Sequence, residues 1–409
     1  MDFAQFILAH DGDDLSRLAL SRKRYGADVP DFDLALTTLE VRRKLRTKVP
    51  QWYAVPALRY PLRLSGEQCS SSVTAFYKAA VASGWTAGRL ADLTGGLGVD
   101  TWAFAKVFDQ VLYNEMRPEL ARAAQLNFAA LGLGNVTVRC QELVQGGVAS
   151  VLDGFRPDVF FLDPARRAAD GRKVFRLEDC QPSVLQLLPE LLALCPRVLL
   201  KLSPMADISL VCRQLGYVRA VHVVAAEGEC KELLLAVERG YSGGYSLTVF
   251  EDGAVMELPS GTESRVQEGL PAAGTVLFEP GKALLKAGAF DLPCRYGLKK
   301  LGQHTHLYVG DAIPEALRPF GKTFEIVEAL PLNNKNIKDL GKRYPCAEVT
   351  ARNIPLGSDQ LRAKLGCRSG GGVHLFGVHV DALEGHYLLV GHQAARGQEA
   401  HLGLRAVQV

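Results

Sequence analysis

Ala91-Asp92-Leu93-Thr94-Gly95-Gly96-Leu97-Gly98-Val99-Asp100 is the stretch from which the fold of this 409-residue chain is most legible. An apolar run ends in three glycines within four positions, and a helical pattern follows over residues 100–107. A strand that breaks into a glycine turn and re-forms as a helix opens a parallel α/β sheet. Glycine belongs where backbone passes close to a neighbour or a ligand, and ligands of such sheets sit outside the carboxyl ends of the strands. The spacing is G-G-x-G, whereas a dinucleotide site wants G-x-G-x-x-G, and Thr101 stands where its last glycine would be. Asp92 and Asp100 frame the loop with negative charge, which repels a pyrophosphate and suits a ligand carrying cationic groups.

Outward from this loop, short apolar runs at 89–93, 110–114, 136–139, 158–162 and 198–202 alternate with helical patterns near 100–107, 118–131, 184–194 and 208–215. Pro118 suits a first helical turn and Gly132 a helix end. Two further strand-like runs, 220–224 and 233–237, are separated by eight residues, too few for the dozen or so that a parallel crossover needs. They must form an antiparallel hairpin. A parallel sheet closed by one antiparallel hairpin, seven strands in all, is unlike the sheet of dinucleotide enzymes and resembles the Rossmann-like sheet of class I methyltransferases.

The ligand expected in that sheet is S-adenosyl-L-methionine, whose ammonium and sulfonium match the sign of the loop Asp92, Thr94, Gly95, Gly96, Gly98 and Asp100. Glu115 follows Gly95 by 20 residues, at the tip of the second strand, where an acid accepts both ribose hydroxyls. Met116 is expected to pack on the adenine, with Gln141 and Glu142 at its edge. The fourth strand ends Asp163-Pro164-Ala165-Arg166, where a methyl acceptor would face the sulfonium. A carboxylate or carbonyl accepting the N–H bonds of a conjugated amine restores its lone pair, so Asp163 and the Pro164 carbonyl are the expected catalytic groups, with Arg166 orienting Asp163 or holding a phosphate.

Composition agrees with several buried cores: 48% of residues are hydrophobic and 22% charged. Domains are expected at 1–85 (helical), 86–240 (the α/β sheet), 241–320 and 321–409 (both small α+β). The opening MDFAQFILAHDGDD sets acids where an export signal needs positive charge, and no window of 18 apolar residues occurs, so a cytoplasmic chain without a membrane partner is expected. Nine scattered cysteines and nine histidines make no C-x-x-C or H-x-x-x-H pattern, and no metal is expected.

The net charge of +3 conceals segregation. Residues 41–63 hold seven Lys or Arg and no acid, and residues 329–368 hold eight against three acids. Two basic stretches are the footprint of a polyanion partner. Arg42, Arg43, Lys44 and Trp52 in the first, and Lys335, Lys338, Lys342 and Arg343 in the second, are the residues expected to touch it; Trp52 stands among Tyr53 and Tyr60, a combination that stacks bases while neutralising phosphates.

The motifs D-L-T-G-G-L-G-V-D-T, F-L-D-P-A-R-R, K-L-S-P-M and G-E-C-K-E, with Glu67-Gln68-Cys69-Ser70-Ser71 and the Tyr77-Lys78 helix, resemble the class I methyltransferases that carry a C-terminal THUMP-like domain. The resemblance implies S-adenosylmethionine at Asp92, Gly95, Gly96, Gly98 and Glu115, a ferredoxin-like insert before the terminal domain and, because THUMP domains bind RNA, a tRNA or rRNA acceptor. Amino methyltransferases of nucleic acids often read D-P-P-aromatic, where this chain has Ala165 and Arg166. Uracil C5 methyltransferases need a nucleophilic cysteine after strand five, where it reads Lys201-Leu202-Ser203-Pro204. Cys180 and Cys230 are expected to be packed or loop thiols rather than nucleophiles. Two other readings stand beside RNA methylation: a protein or small-molecule methyltransferase indifferent to the basic stretches, and an inactive RNA-binding protein that retains the fold without the cofactor.

Overall fold

The computed structural model describes residues 2–25, 31–166, 176–261 and 263–394, except the side chain of Arg166. Two compact units divide it: 1–222 with 232–246, and 223–231 with 247–409.

The first unit begins with helices. Phe3, Phe6, Ile7 and Leu18 from two short ones pack on Phe32, Ala35 and Leu39 of α1 (Phe32–Lys48), whose N-terminus is capped by the Asp31 carboxylate accepting from the Leu34 amide. Helix α2 (Ser72–Ser83) is capped by Ser71. Then the sheet is laid down: β1 (Arg89–Asp92), α3 (Val99–Phe104), β2 (Gln110–Asn114), α4 (Pro118–Ala130), β3 (Val136–Arg139), β4 (Val159–Leu162), α5 (Val184–Leu194), β5 (Arg197–Leu202), α6 (Ile208–Leu215), β6 (Val218–Ala226) and β7 (Glu229–Glu238).

Seven of the nine strands of this sheet follow the order β3-β2-β1-β4-β5-β7-β6. The first five run parallel, while β7 lies antiparallel against β5 with Lys201 opposite Leu234. Buried aliphatic and aromatic side chains fill β4 at all four positions, as expected of a strand covered on both faces. Chain order reverses beside β1, between β2 and β4, which opens a crevice at the carboxyl ends of these strands. Helix α3 is shorter than the sequence pattern suggests, since Ala105 ends it.

The second unit contains the hairpin β8 (Ser246–Glu251) and β9 (Ala254–Glu257), turned at Asp252 and Gly253 with φ of +48° and +98°, the double left-handed geometry that Asp-Gly favours. A separate sheet follows: β10 (Val276–Pro280), β11 (Lys299–Lys300), β12 (Tyr308–Gly310), β13 (Gly321–Pro331), β14 (Glu348–Arg352), β15 (Val373–Val380) and β16 (Gly385–Gln393), ordered β11-β12-β10-β13-β16-β15-β14. Only β14 and β15 pair in parallel among its named pairs. Alternating residues divide its two faces: Phe376, Val378 and Leu389 join Leu277 and Phe324, whereas Leu375, Leu388 and Val390 pack under α7 (Asn334–Arg343) and α8 (Ser358–Leu365). The boundary expected at 320/321 therefore falls inside one continuous sheet, because β13 pairs with β10 on one side and β16 on the other.

Candidate active site

A cleft of about 700 Å³ opens at the carboxyl ends of β1, β2 and β4, within the size range of small-molecule sites. Asp92, Thr94, Gly95, Gly96, Gly98, Asp100, Glu115, Met116, Gln141, Glu142 and Asp163 all line it. Pro164 does not, although Ala165 does, and the side chain of Arg166 lies outside the described residues.

The glycines are explained chiefly by what lies beneath the loop. A Cβ on Gly98 would stand 2.8 Å from Phe128 Cζ, and one on Gly95 would stand 2.8 Å from Tyr113 Cζ. Gly98 also has φ of +92°, and Gly96, with φ of +54°, has space around it but needs the left-handed backbone. Tyr113 donates its hydroxyl to the Gly96 carbonyl at 2.6 Å, so the buried ring sets the height of the loop.

The two framing aspartates are also spent on the protein. Asp92 is buried and accepts from Thr101 Oγ1 at 2.6 Å and the Thr94 amide at 3.2 Å; burial, with Asp100 nearby, pushes its carboxyl up to about 7 despite these bonds. Asp100 accepts from Ser70 at 2.9 Å and lies 3.2 Å from the Lys78 ammonium. Both acids line the cleft and at the same time brace the loop and its helix from within the protein. Glu115 is differently placed. It accepts from the Gly96 amide at 3.0 Å and the Arg117 amide at 2.9 Å, one bond per oxygen, and each carboxylate oxygen can accept a second. Asn114, buried behind it, binds the Gln141 backbone through both ends of its amide and so ties β2 to the segment carrying Gln141 and Glu142.

Asp163 is tied in twice. Its amide donates to Thr94 Oγ1 at 2.6 Å, and its Oδ2 meets the Lys201 ammonium at 2.6 Å. Lys201 also faces Glu232 at 3.6 Å, and Glu232 is 2.6 Å from Lys78, which is fully buried. Burial works against the Lys201 ammonium, but Asp163, Glu232 and Asp100 outweigh it and hold its pKa above the ordinary lysine value. Lys78, Lys201 and Glu232 were not expected at the site; they stand inside motifs the sequence displays, but only the fold brings residues 154 positions apart within hydrogen-bonding distance.

In the first basic stretch Arg42 and Trp52 are turned into the protein, while Lys44 is exposed. Trp52 is fully buried, 6.2 Å edge-on from Trp102 and stacked 6.3 Å from Tyr60, itself buried, so neither ring is free to stack on a base. Arg42 is buried 3.3 Å from Asp11 with its guanidinium 4.2 Å over Tyr53; Arg43 donates to the carbonyls of His10, Asp11 and Asp13; Lys44 pairs with Glu67. Their charges fasten α1 to its neighbours, and burial corrects the expectation of an RNA contact for Arg42 and Trp52. In the second stretch Ile337 and Leu340 bury one face of α7 and leave Lys335, Lys338 and Lys342 exposed, with no ion pair among the described residues; Arg343 is held by Glu328 at 2.6 Å and Asp339 at 3.2 Å. All nine cysteines are free; Cys180 is buried, which pushes its thiol up to about 11. No helix among the described residues is long and apolar enough to cross a membrane, and none of their His, Cys, Asp and Glu side chains cluster as metal ligands would.

Residues 277–317 match a ferredoxin-like domain model and residues 321–393 a THUMP domain-like model. The crystal structure of a "putative methyltransferase from Porphyromonas gingivalis W83" is 31% identical over 96% of this chain and 97% of that one, with a TM-score of 0.81. That of a "predicted O-methyltransferase, protein Atu636 from Agrobacterium tumefaciens" is 16% identical, over 44% of this chain and 85% of that one, with a TM-score of 0.32. No curated protein matches the chain.

Proposed function

Since the chain belongs to the methyltransferases that end in a ferredoxin-like and a THUMP-like domain, we propose that it transfers the methyl group of S-adenosylmethionine to an RNA, a tRNA or rRNA. The observation that carries the cofactor is the shared cleft: a glycine loop held low by Tyr113, and Glu115 with unused acceptor capacity beside it. Glu115 would take the ribose hydroxyls, the loop amides the methionyl end, and Gln141 and Glu142 the adenine edge, with Met116 against its face. The bound cofactor supplies an electrophilic methyl on a cationic sulfur.

Everything else falls to the chain. With Oδ2 of Asp163 occupied by Lys201, the other oxygen remains to accept one N–H or O–H of the acceptor, keeping its lone pair localised for attack. With the cofactor bound, the acceptor's lone pair would take its methyl, the sulfur–methyl electron pair being left on sulfur, and the acceptor proton would leave to water along Asp163. The Pro164 carbonyl would take a second N–H, and Arg166 a phosphate. The RNA reading rests on the THUMP-like match and the exposed Lys335, Lys338 and Lys342. A target within a duplex would have to be flipped out to reach the cleft.

The test is incubation of the full chain with methyl-labelled cofactor and total RNA from a strain lacking the protein, followed by nucleoside mapping. Label in a defined nucleoside, lost in Asp163→Ala even at cofactor concentrations that saturate the variant, is expected. Label in protein or small molecules alone removes the RNA acceptor, and full transfer by Asp163→Ala removes Asp163 from the mechanism.

A further inference from the structure

Beneath the cleft runs a continuous chain of alternating charge. Asp163 meets Lys201 at 2.6 Å, Lys201 meets Glu232 at 3.6 Å, Glu232 meets Lys78 at 2.6 Å, and Lys78 reaches Asp100 at 3.2 Å. Ser70 closes the far end, accepting from Lys78 at 2.8 Å and donating to Asp100 at 2.9 Å. The ends of this chain line the cleft, one at the acceptor strand and one at the helix following the glycine loop; its middle members Lys78 and Glu232 do not line it and are almost wholly buried. Isolated buried charges are costly, and removing one partner leaves the others uncompensated. The chain therefore behaves as a unit.

Resting on the methyltransferase reading above, we propose that Lys201 and Glu232 are positioning residues, which fix the Asp163 carboxylate relative to the cofactor loop through Lys78 and Asp100. Glu232 orients Lys201 from below, and Lys201 holds one Asp163 oxygen so that only the other is offered to the acceptor. The three carboxylates and two ammoniums leave one negative charge for a cationic cofactor to balance. Lys201 is not a proton acceptor in this arrangement, because two carboxylates face it.

The test uses near-isosteric changes in the full chain. Asp163→Asn, Glu232→Gln and the double variant are titrated with S-adenosylmethionine, an arm that needs no acceptor. Two charges acting independently through space would multiply their effects on the dissociation constant. A connected chain, once broken, has little more to lose, so the double variant should bind no worse than the weaker single, departing from the product by roughly threefold or more. A product within error overturns the proposal. In the second arm, Glu232→Gln at saturating cofactor should slow single-turnover labelling of RNA by about tenfold or more, and Lys201→Arg should recover most of the rate that Lys201→Met loses. Wild-type speed in Glu232→Gln also overturns it. If the wild type labels no RNA while the binding cycle is non-multiplicative, the acceptor assignment has failed and the positioning chain stands.

Discussion

Gly95→Ala isolates the reason for glycine after β1. Its new methyl would stand 2.8 Å from Tyr113 Cζ and closer to two other ring atoms, where carbon atoms settle at about 3.5–4.0 Å. The ring has little freedom to retreat: it is fully buried, edge-on to Phe128 at 5.4 Å between centroids, and anchored by its hydroxyl to the Gly96 carbonyl at 2.6 Å. Overpacking of this kind costs about 1–3 kcal/mol, and loss of the hydroxyl bond adds about 1 kcal/mol. Gly95→Ala should accordingly lose ~2–4 kcal/mol in urea unfolding of the first unit, and bind S-adenosylmethionine roughly tenfold more weakly as the loop rises. Gly96→Ala is the control, since its φ of +54° makes alanine strained by about 1–2 kcal/mol while its nearest neighbour, the Thr94 carbonyl, is 3.9 Å away. If Gly95→Ala unfolds within about 0.5 kcal/mol of wild type and binds the cofactor normally, the packing account of the loop is wrong.

Other consequences follow from burial and exposure. The folded-state pKa of Asp92 is raised to about 7, so the fold prefers its protonated form; that stabilisation is complete below the ordinary carboxylate value and is lost as pH climbs through about 7. Urea midpoints should therefore fall from pH 5.5 to 8.5 more steeply in wild type than in Asp92→Asn, and equal slopes would contradict the assignment. Trp52→Ala should destabilise by about 3–5 kcal/mol as a core truncation, whereas Lys335→Glu with Lys338→Glu should leave stability within about 0.5 kcal/mol and weaken filter retention of RNA, most at low salt. Gly341→Ala should destabilise the second unit by about 1–3 kcal/mol, because its Cβ would fall 2.9 Å from the Leu365 carbonyl carbon and closer still to the oxygen, both backbone atoms that cannot rotate aside; an unchanged melting profile would mean that α7 and α8 pack less closely than described.

The α/β unit was legible because its signals are local. Eight residues between two apolar runs exclude a parallel crossover, and β7 does run antiparallel beside β5; Pro118 and Gly132 bracket α4, with Gly132 at φ of +70° just beyond its end. The Asp252-Gly253 turn was legible for the same reason. What was hidden depends on tertiary burial. A run of basic and aromatic residues reads alike whether it meets solvent or packs, and only the contacts of Trp52 with Trp102, and of Arg42 with Asp11 and Tyr53, decide it. Likewise Lys78, Lys201 and Glu232 look like ordinary surface charges until the sheet folds them under the cleft. The glycine loop was read as a place for a ligand to approach, while Tyr113 and Phe128, which stand 18 and 30 residues beyond Gly95 and Gly98, supply the steric reason at two of its three positions.

The central claim is that the crevice beside β1 and β2 receives an adenosyl cation and not a phosphate-rich nucleotide. Isothermal titration of S-adenosylmethionine into the wild type and into Glu115→Ala measures this directly. Saturable one-site binding, weakened roughly tenfold or more by Glu115→Ala and undisturbed by excess NADH, is the expected result. Absence of binding, or displacement of the cofactor by NADH, would contradict it.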